Sequence, residues 1–557
     1  MTEAKEISVL DYGAGNLLSL LNAIRLLGYE PKIIQSPEEI KNTKRLIFPG
    51  VGAFGSAMEF LHSHGYVEPL RKFLRGEGNE YFGICIGMQV LFERSEESPG
   101  VEGLGIIKGT IGRFRTETAS IPNIGWSGIK PISSSRLWSN GWSSDNRVYF
   151  VHSYRAIPSE ENKRWISATT KYGEEEYISA VQNGSIMAVQ FHPEKSGVVG
   201  LDMIKGFLES HTDESKNIDQ NFEPAPLSRR IVACLDVRTN DDGDLVVTKG
   251  DSYDVRESNN KEGDDKKRGR VRNLGKPVEL AKRYYEEGAD EVTFLNITSF
   301  RSEPLEDAPL LEVLEETSKT VFVPLTIGGG IRDYTDVQGK RYSSLDVANR
   351  YFRAGADKIS IGSDAVLAAE KIINDNCEPD GSSSIEQISK AYGAQAVVIS
   401  VDPRRVYLQT ESEVQDAKKK GYTVLEVQDL RDNAKEGDRC KVWYQCTIKG
   451  GREGRPLDAI GLVKACEKLG AGEILLNSID CDGQKKGFDL DLIQAVCKAV
   501  KLPVIASSGA GCAQHFVDVF KNTRVEAALA AGIFHRNEVP LKDVKRTVKE
   551  AGLSMRV

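Results

Sequence analysis

The chain has 557 residues, 40% of them hydrophobic and 28% charged, with a formal net charge of −8. That length allows two or three domains with their own cores, and an acidic balance without a basic tail argues against a nucleic-acid or membrane-surface protein. There is no apolar run of the ~18 residues a membrane span needs and no signal-like start, and nine scattered cysteines without a CxxC pair indicate neither a disulfide framework nor a zinc site.

A reducing compartment follows, the cytoplasm by default and a plastid only if a transit peptide lies outside this chain. Strand-length apolar runs alternate with helical patterns, the mark of α/β architecture. The first expected strand is Ile7–Asp11, followed by a turn starting at Gly13, a helix over Leu17–Leu27 and a strand over Pro31–Ile34. Further strands are expected at Arg45–Phe48, Tyr81–Ile84, Val148–His152 and Met187–Phe191, with a last helix ending near Leu208.

Three strings on these elements carry chemistry. Pro49-Gly-Val-Gly52 follows a strand, and Gly50, Val51 and Gly52 can offer backbone N–H groups to a tetrahedral oxyanion, although the same string also makes an ordinary tight turn. Gly83-Ile-Cys-Ile-Gly87 stands between a strand and a helix expected over Met88–Glu93, the layout of a nucleophile elbow with Cys85 in place of serine. Its glycines permit a sharp turn, and the helix N-terminus favours the thiolate. A lone cysteine is ordinarily an inert core residue; this context sets Cys85 apart. Phe191-His192-Pro-Glu194 closes a later strand. There His192 can take the thiol proton and return it to leaving ammonia, with Glu194 orienting the ring.

Residues 209–228 are polar, contain two prolines and lack periodicity, so they read as a linker between a first domain at 7–208 and a second at 229–557. The second region repeats itself. Ile231-Val-Ala-Cys-Leu-Asp matches Val397-Val-Ile-Ser-Val-Asp, Gly288-Ala-Asp-Glu-Val matches Gly470-Ala-Gly-Glu-Ile, and Val323-Pro-Leu-Thr-Ile-Gly matches Pro503-Val-Ile-Ala-Ser-Ser. Two copies of a four-strand βα unit predict a closed (β/α)8 barrel, with strands beginning near Arg230, Glu291, Val321, Lys358, Ala396, Glu473, Pro503 and Ala527. Polar insertions at Thr239–Asn273 and Glu411–Asp438 follow strands one and five, on the catalytic face of such a barrel.

Duplicated glycine loops predict two phosphate sites across one mouth. Gly329 and Gly330 belong to one and Ser508 and Gly509 to the other, completed by Gly362–Ser363 and by Gly532. Asp236 and Asp402, expected at the ends of strands one and five, form an opposed carboxylate pair suited to acid–base work. Lys249, Asn477, Asp482 and Gly483 are further substrate-binding candidates. At the other end, Arg230, Glu291, Lys358 and Glu473 each start a strand, so a mutually paired ring of charge is expected there.

Over about Ile7–Leu208 the elbow, the histidine and the glycine loop resemble the class I glutamine amidotransferases. The resemblance implies a flavodoxin-like open sheet, Cys85 as nucleophile, His192 as base, Glu194 as third member and Gln89 as a glutamine contact. That family often has one more glycine in its oxyanion strand; here Pro49 leads the loop, which leaves room for activation by a partner domain. Cys234-Leu-Asp-Val-Arg-Thr-Asn, Gly250-Asp-Ser-Tyr-Asp-Val-Arg, Phe294-Leu-Asn-Ile-Thr and Ile505-Ala-Ser-Ser-Gly-Ala-Gly are similar to strings of the imidazole glycerol phosphate synthase family in its fused, eukaryotic and plant-type form. That second resemblance implies ammonia from glutamine, consumed with a bisphosphate nucleotide in a step of histidine biosynthesis. Asp402 would be the acid, Asp236 the base and the charged ring an ammonia gate. It implies small-molecule substrates, no metal and no organic cofactor. A chain that already contains its glutaminase partner is expected to be a monomer. Two rivals are a barrel acting as a sugar isomerase, which would not need ammonia, and a non-catalytic relative, which would have lost Cys85, His192, Asp236 or Asp402.

Overall fold

A computed structural model describes residues 6–138, 142–209, 223–239, 245–247, 275–296, 308–336, 338–431, 434–435 and 437–557. The N-terminal half is built on an eleven-stranded, curled open sheet. Its parallel part runs Glu30–Ile34, Glu6–Leu10, Arg45–Phe48, Glu80–Ile84, Ile186–Val189. It continues antiparallel through Glu175–Asn183, Tyr154–Ala156 and Ile107–Arg113. Side chains alternate between two cores, as a period of two requires. Ile47, Phe82 and Ile84 face the helices Leu17–Leu26 and Gly197–Leu208, whereas Leu46, Phe48 and Tyr81 face Phe54–Ser63 and Val67–Arg75.

The strands at Arg45–Phe48 and Val148–His152 fall where the apolar runs put them. The helix expected over Met88–Glu93 does not form. A single turn, Ile86–Gln89, is followed by a strand, Phe92–Ser95. The cause lies in residues 103–107, which engage that backbone: Leu104 donates to the Val90 carbonyl at 2.7 Å and Gly103 to that of Glu93 at 2.8 Å.

The C-terminal half is a closed barrel of parallel strands. In order these are Arg230–Thr239, Glu291–Asn296, Leu325–Gly328, Lys358–Ile361, Val397–Val401, Glu473–Asn477, Val504–Ser507 and Ala527–Ala530, with the last pairing back onto the first. Strands four apart in this order are the copies matched in the sequence. The third begins at Leu325 rather than Val321, because Pro324 has no N–H to give a ladder. The first continues past Asp236 to Thr239 and turns into a hairpin with Leu245–Val247. Inside the barrel Val232, Cys234, Val398, Leu475, Ile505, Ala527 and Leu529 form one cluster.

The segment after strand five is not the polar loop expected over Glu411–Asp438. It is a four-stranded antiparallel sheet of Pro403–Leu408, Leu425–Gln428, Arg439–Ile448 and Glu453–Asp458, with the helix Glu411–Lys419. Most of the insertion after strand one lies outside the described residues. No described helix is long and apolar enough to cross a membrane.

A Cβ added at Gly472, just before strand six, would lie 2.0 Å from the carbonyl oxygen of Ala394. Since neither backbone can yield, Gly472→Ala is expected to destabilise the barrel by roughly 1–3 kcal/mol, read as a lower urea midpoint for barrel unfolding.

Candidate active sites

The first site is an edge effect of the parallel sheet. Glu80–Ile84 lies between Arg45–Phe48 and Ile186–Val189, so three neighbouring strands deliver the Pro49–Gly52 loop, Cys85 and His192 to one carboxyl edge. Cys85 sits at φ 53°, a left-handed conformation rare for a side chain this size. Its N–H is held by the Val189 carbonyl at 2.7 Å. Gly83 and Gly87 themselves serve close approach rather than an unusual φ: a Cβ on Gly87 would fall 1.9 Å from the Phe48 oxygen, and one on Gly83 2.5 Å from the Gly87 oxygen.

His192 Nδ1 lies 2.7 Å from Glu194 Oε1, both residues buried. Burial alone would depress the imidazole, but Glu194 and then Cys85 outweigh it and hold His192 well above its ordinary value. The neighbouring His152 is the opposite case. Burial pulls it down to about 3, and its Nδ1 is engaged by the Tyr154 carbonyl at 2.8 Å, so it stays neutral. Only the first of these two imidazoles is fitted to carry a proton.

Gln89 is buried and donates to the Tyr154 carbonyl and to Gln190 Oε1, each at 3.1 Å. Gln190 in turn points its Nε2 at Cys85 Sγ, 3.4 Å away. Gln190 was not singled out in the sequence, although its place two residues before His192 was the available signal. Glu97 also escaped notice. Burial lifts its carboxyl to about 7 against the pull of the Phe54 N–H, which it accepts at 2.7 Å.

The glycine loop turns a carbonyl toward the nucleophile's neighbour. The Gly50 carbonyl accepts the Ile86 N–H at 3.3 Å, occupying the donor next to the nucleophile, and Tyr12 donates to the Val51 carbonyl at 2.7 Å. Gly50 is confined there, since a Cβ would meet Tyr12 at 2.3 Å. The turn thus directs the Gly50 carbonyl, rather than an N–H, at the residue after the nucleophile.

The second site is a cavity of about 760 Å³ at the carboxyl ends of the barrel strands. Asp236 and Asp402 line it together with Gly329, Gly330, Gly362, Ser363, Asn477, Asp482, Gly483, Ser508, Gly509 and Gly532. Lys249 lies outside the described residues. The duplicated loops share their backbone shape, with positive φ at Gly329 and Gly330 and at Ser508 and Gly509. Asp402 accepts from Asn477 at 2.7 Å. Desolvation at the cavity wall pushes its carboxyl up against the opposing pull of the Asn477 and Ser400 hydrogen bonds. A basic turn that the sequence reading passed over, Lys449-Gly-Gly-Arg452, reaches the cavity from the accessory sheet, and the Lys449 N–H donates to Ser363 Oγ at 3.0 Å. Its Lys-Gly-Gly-Arg composition was the readable signal.

At the opposite end the four charges close a ring. Arg230 pairs with Glu291 at 2.8 Å and with Glu473, and Lys358 bridges both glutamates at 2.7 Å, all fully buried. The residues just before two of them reach the other half of the molecule. Trp126 Nε1 donates to the Asp290 carbonyl at 3.2 Å. Asp357 meets Lys195 at 2.6 Å and Asn16 at 2.9 Å. Tyr149, whose carbonyl holds the His192 N–H at 2.9 Å, packs in the same core as the barrel's base.

A cysteine–histidine–glutamate triad on an open sheet, seated against the base of a barrel in one chain, defines a bifunctional glutamine amidotransferase. Residues 8–209 match the family model "Glutamine amidotransferase class-I", and 230–540 match "Histidine biosynthesis protein". The chain is 53% identical to imidazole glycerol phosphate synthase hisHF, chloroplastic, of Arabidopsis thaliana, over all of this chain and 90% of that one. It is 52% identical to imidazole glycerol phosphate synthase hisHF of Emericella nidulans over 99% and 98% of the two, and 48% to that of Schizosaccharomyces pombe over 97% of each. The chain belongs to the imidazole glycerol phosphate synthase hisHF family, enzymes of histidine biosynthesis.

Gly87→Ala forces the elbow off the Phe48 carbonyl. Glutamine-dependent turnover is expected to drop on the order of 100-fold, as misplaced reacting groups do, while turnover with free ammonium persists; paired steady-state assays check this.

Proposed function

We propose that residues 7–208 hydrolyse glutamine, that residues 229–557 are the cyclase, and that 209–228 link them. Cys85 thiolate attacks the side-chain amide carbon, and His192 gives the proton it holds to the departing nitrogen, releasing ammonia. Water, deprotonated by the same imidazole, then cleaves the glutamyl thioester to glutamate and restores the thiol. Glu194 keeps the ring aligned. Gln89 and Gln190 border the amide.

Ammonia passes the ring of Arg230, Glu291, Lys358 and Glu473 into the barrel. There the two glycine loops hold the phosphates of a phosphoribulosyl-formimino aminoimidazole carboxamide ribonucleotide. Asp402, whose burial favours the protonated form, acts as acid and Asp236 as base. The products are imidazole glycerol phosphate and aminoimidazole carboxamide ribonucleotide. The observation that carries the reading is the buried ring lying between the triad half and the barrel interior, with Asp357 beside Lys358 gripped by Lys195 beside Glu194. Because the Gly50 carbonyl occupies the Ile86 N–H, glutamine hydrolysis should be slow until nucleotide binding releases that loop. Nine free cysteines support a reducing compartment, which we take to be the cytoplasm. With both activities in one chain, we take the enzyme to be a monomer.

Glutamate release from glutamine is expected to rise at least tenfold when the bisphosphate nucleotide is added; equal rates would reject the activation. Cys85→Ala should abolish synthesis with glutamine and spare it with ammonium. Lys358→Ala should spare both glutamine hydrolysis and ammonium-dependent synthesis yet uncouple one from the other.

A further inference from the structure

The accessory sheet after strand five grips the cyclase acid from two directions. Thr447, on its strand Arg439–Ile448, donates to the Asp402 carbonyl at 2.7 Å. Arg405, three residues beyond Asp402, turns inward and is nearly inaccessible, as is its partner Asp489. Its Nε and Nη2 reach Asp489 Oδ2 at 3.2 and 2.8 Å, and its backbone N–H reaches Asp480 at 2.7 Å. The same Asp489 oxygen accepts from Tyr444 at 2.8 Å and from Ser478 at 3.2 Å.

These contacts form a loop of bonds. Asp402 is tied through Asn477 to Ser478, through Asp489 to Arg405, and along the chain back to Asp402. The turn enclosed by it, residues 477–483, carries Asn477, Asp482 and Gly483 into the cavity. Asp402, Asn477 and Asp480 line the cavity; Arg405, Tyr444, Thr447, Ser478 and Asp489 do not. A buried ion pair costs desolvation and is weak ground for stability alone; fixing one geometry is what the fork of a guanidinium does well.

We propose that Arg405 and Asp489 are positioning residues of the cyclase, setting the angle at which Asp402 meets Asn477 and the substrate turn. The inference rests on Asp402 being the cyclase acid. It also gives the accessory sheet a task, since Arg405, Tyr444 and Thr447 all stand on its strands.

The test is steady-state synthesis with ammonium in the full chain. Arg405→Met should lower kcat on the order of 100-fold, with KM for the bisphosphate nucleotide changed less than threefold. Arg405→Lys, which keeps the charge but not the fork, should fall between. Asp489→Asn and Tyr444→Phe weaken the same oxygen without a cavity and decide the matter if Arg405→Met does not fold; kcat should drop more in the first than in the second. Wild-type kcat per folded molecule in Asp489→Asn, or a change confined to KM, would overturn the inference. Asp402→Asn separates the two claims. If it keeps full activity, the acid assignment fails. If it is inactive while Asp489→Asn turns over normally, only the positioning role fails.

Discussion

Four charged side chains without access to water cannot be left unmatched, and this requirement organises the molecule. Arg230, Glu291, Lys358 and Glu473 satisfy one another in a closed circuit, with Thr326 donating to Glu291 at 2.6 Å as a further partner. Deleting one member of such a set costs ~3–5 kcal/mol, because it strands the others. Each stands at the first position of its strand, so the circuit also sets the barrel's register at its base. Side chains alternate along a strand, so the residue before a ring member is directed elsewhere. Of those residues, Asp357 turns its side chain to Lys195 of the glutaminase half, whereas Asp290 reaches it through its backbone carbonyl, held by Trp126, and pairs its side chain with Lys545 and Arg556.

Both reaction centres follow from one property of parallel strands, which gather loops at their carboxyl ends. The open sheet brings Asp11, Asn16, Gly50, Cys85 and Lys195 to that edge, and it is this edge that meets the barrel: Arg353 pairs with Asp11 at 2.8 Å, and Gly197 N–H donates to the Phe322 carbonyl at 3.1 Å. The barrel's own carboxyl ends point away from the glutaminase. The two centres are therefore stacked in series along one direction rather than placed side by side.

Much of this was readable from residue order. Repeated strand strings separated by a half-barrel's length determine closure, and the Gly-x-Cys-x-Gly and His-x-Glu strings determine a triad once neighbouring strands align them. Other parts depended on contacts distant in sequence. The helix anticipated at Met88 is drawn out by residues 103–107. The accessory sheet hid behind a polar composition because only part of it is buried, around Val427, Val442 and Tyr444. The closed state of the Gly50 turn is a matter of which end of a peptide faces Ile86, and composition does not encode that. Glu97 and Gln190 carry no motif; their meaning comes from Phe54 and Cys85 lying against them.

The base of the barrel has a further consequence, for the charge a molecule can carry there. Two cations and two anions sum to zero, and the glutamate oxygens are already engaged. A cation placed inside the circuit would shed its hydration shell and find both of its glutamates already paired. The uncharged molecule incurs no such penalty. The circuit therefore disfavours a charged visitor more than a neutral one, and on the proposed route the surplus proton of glutamine hydrolysis stays on the triad side.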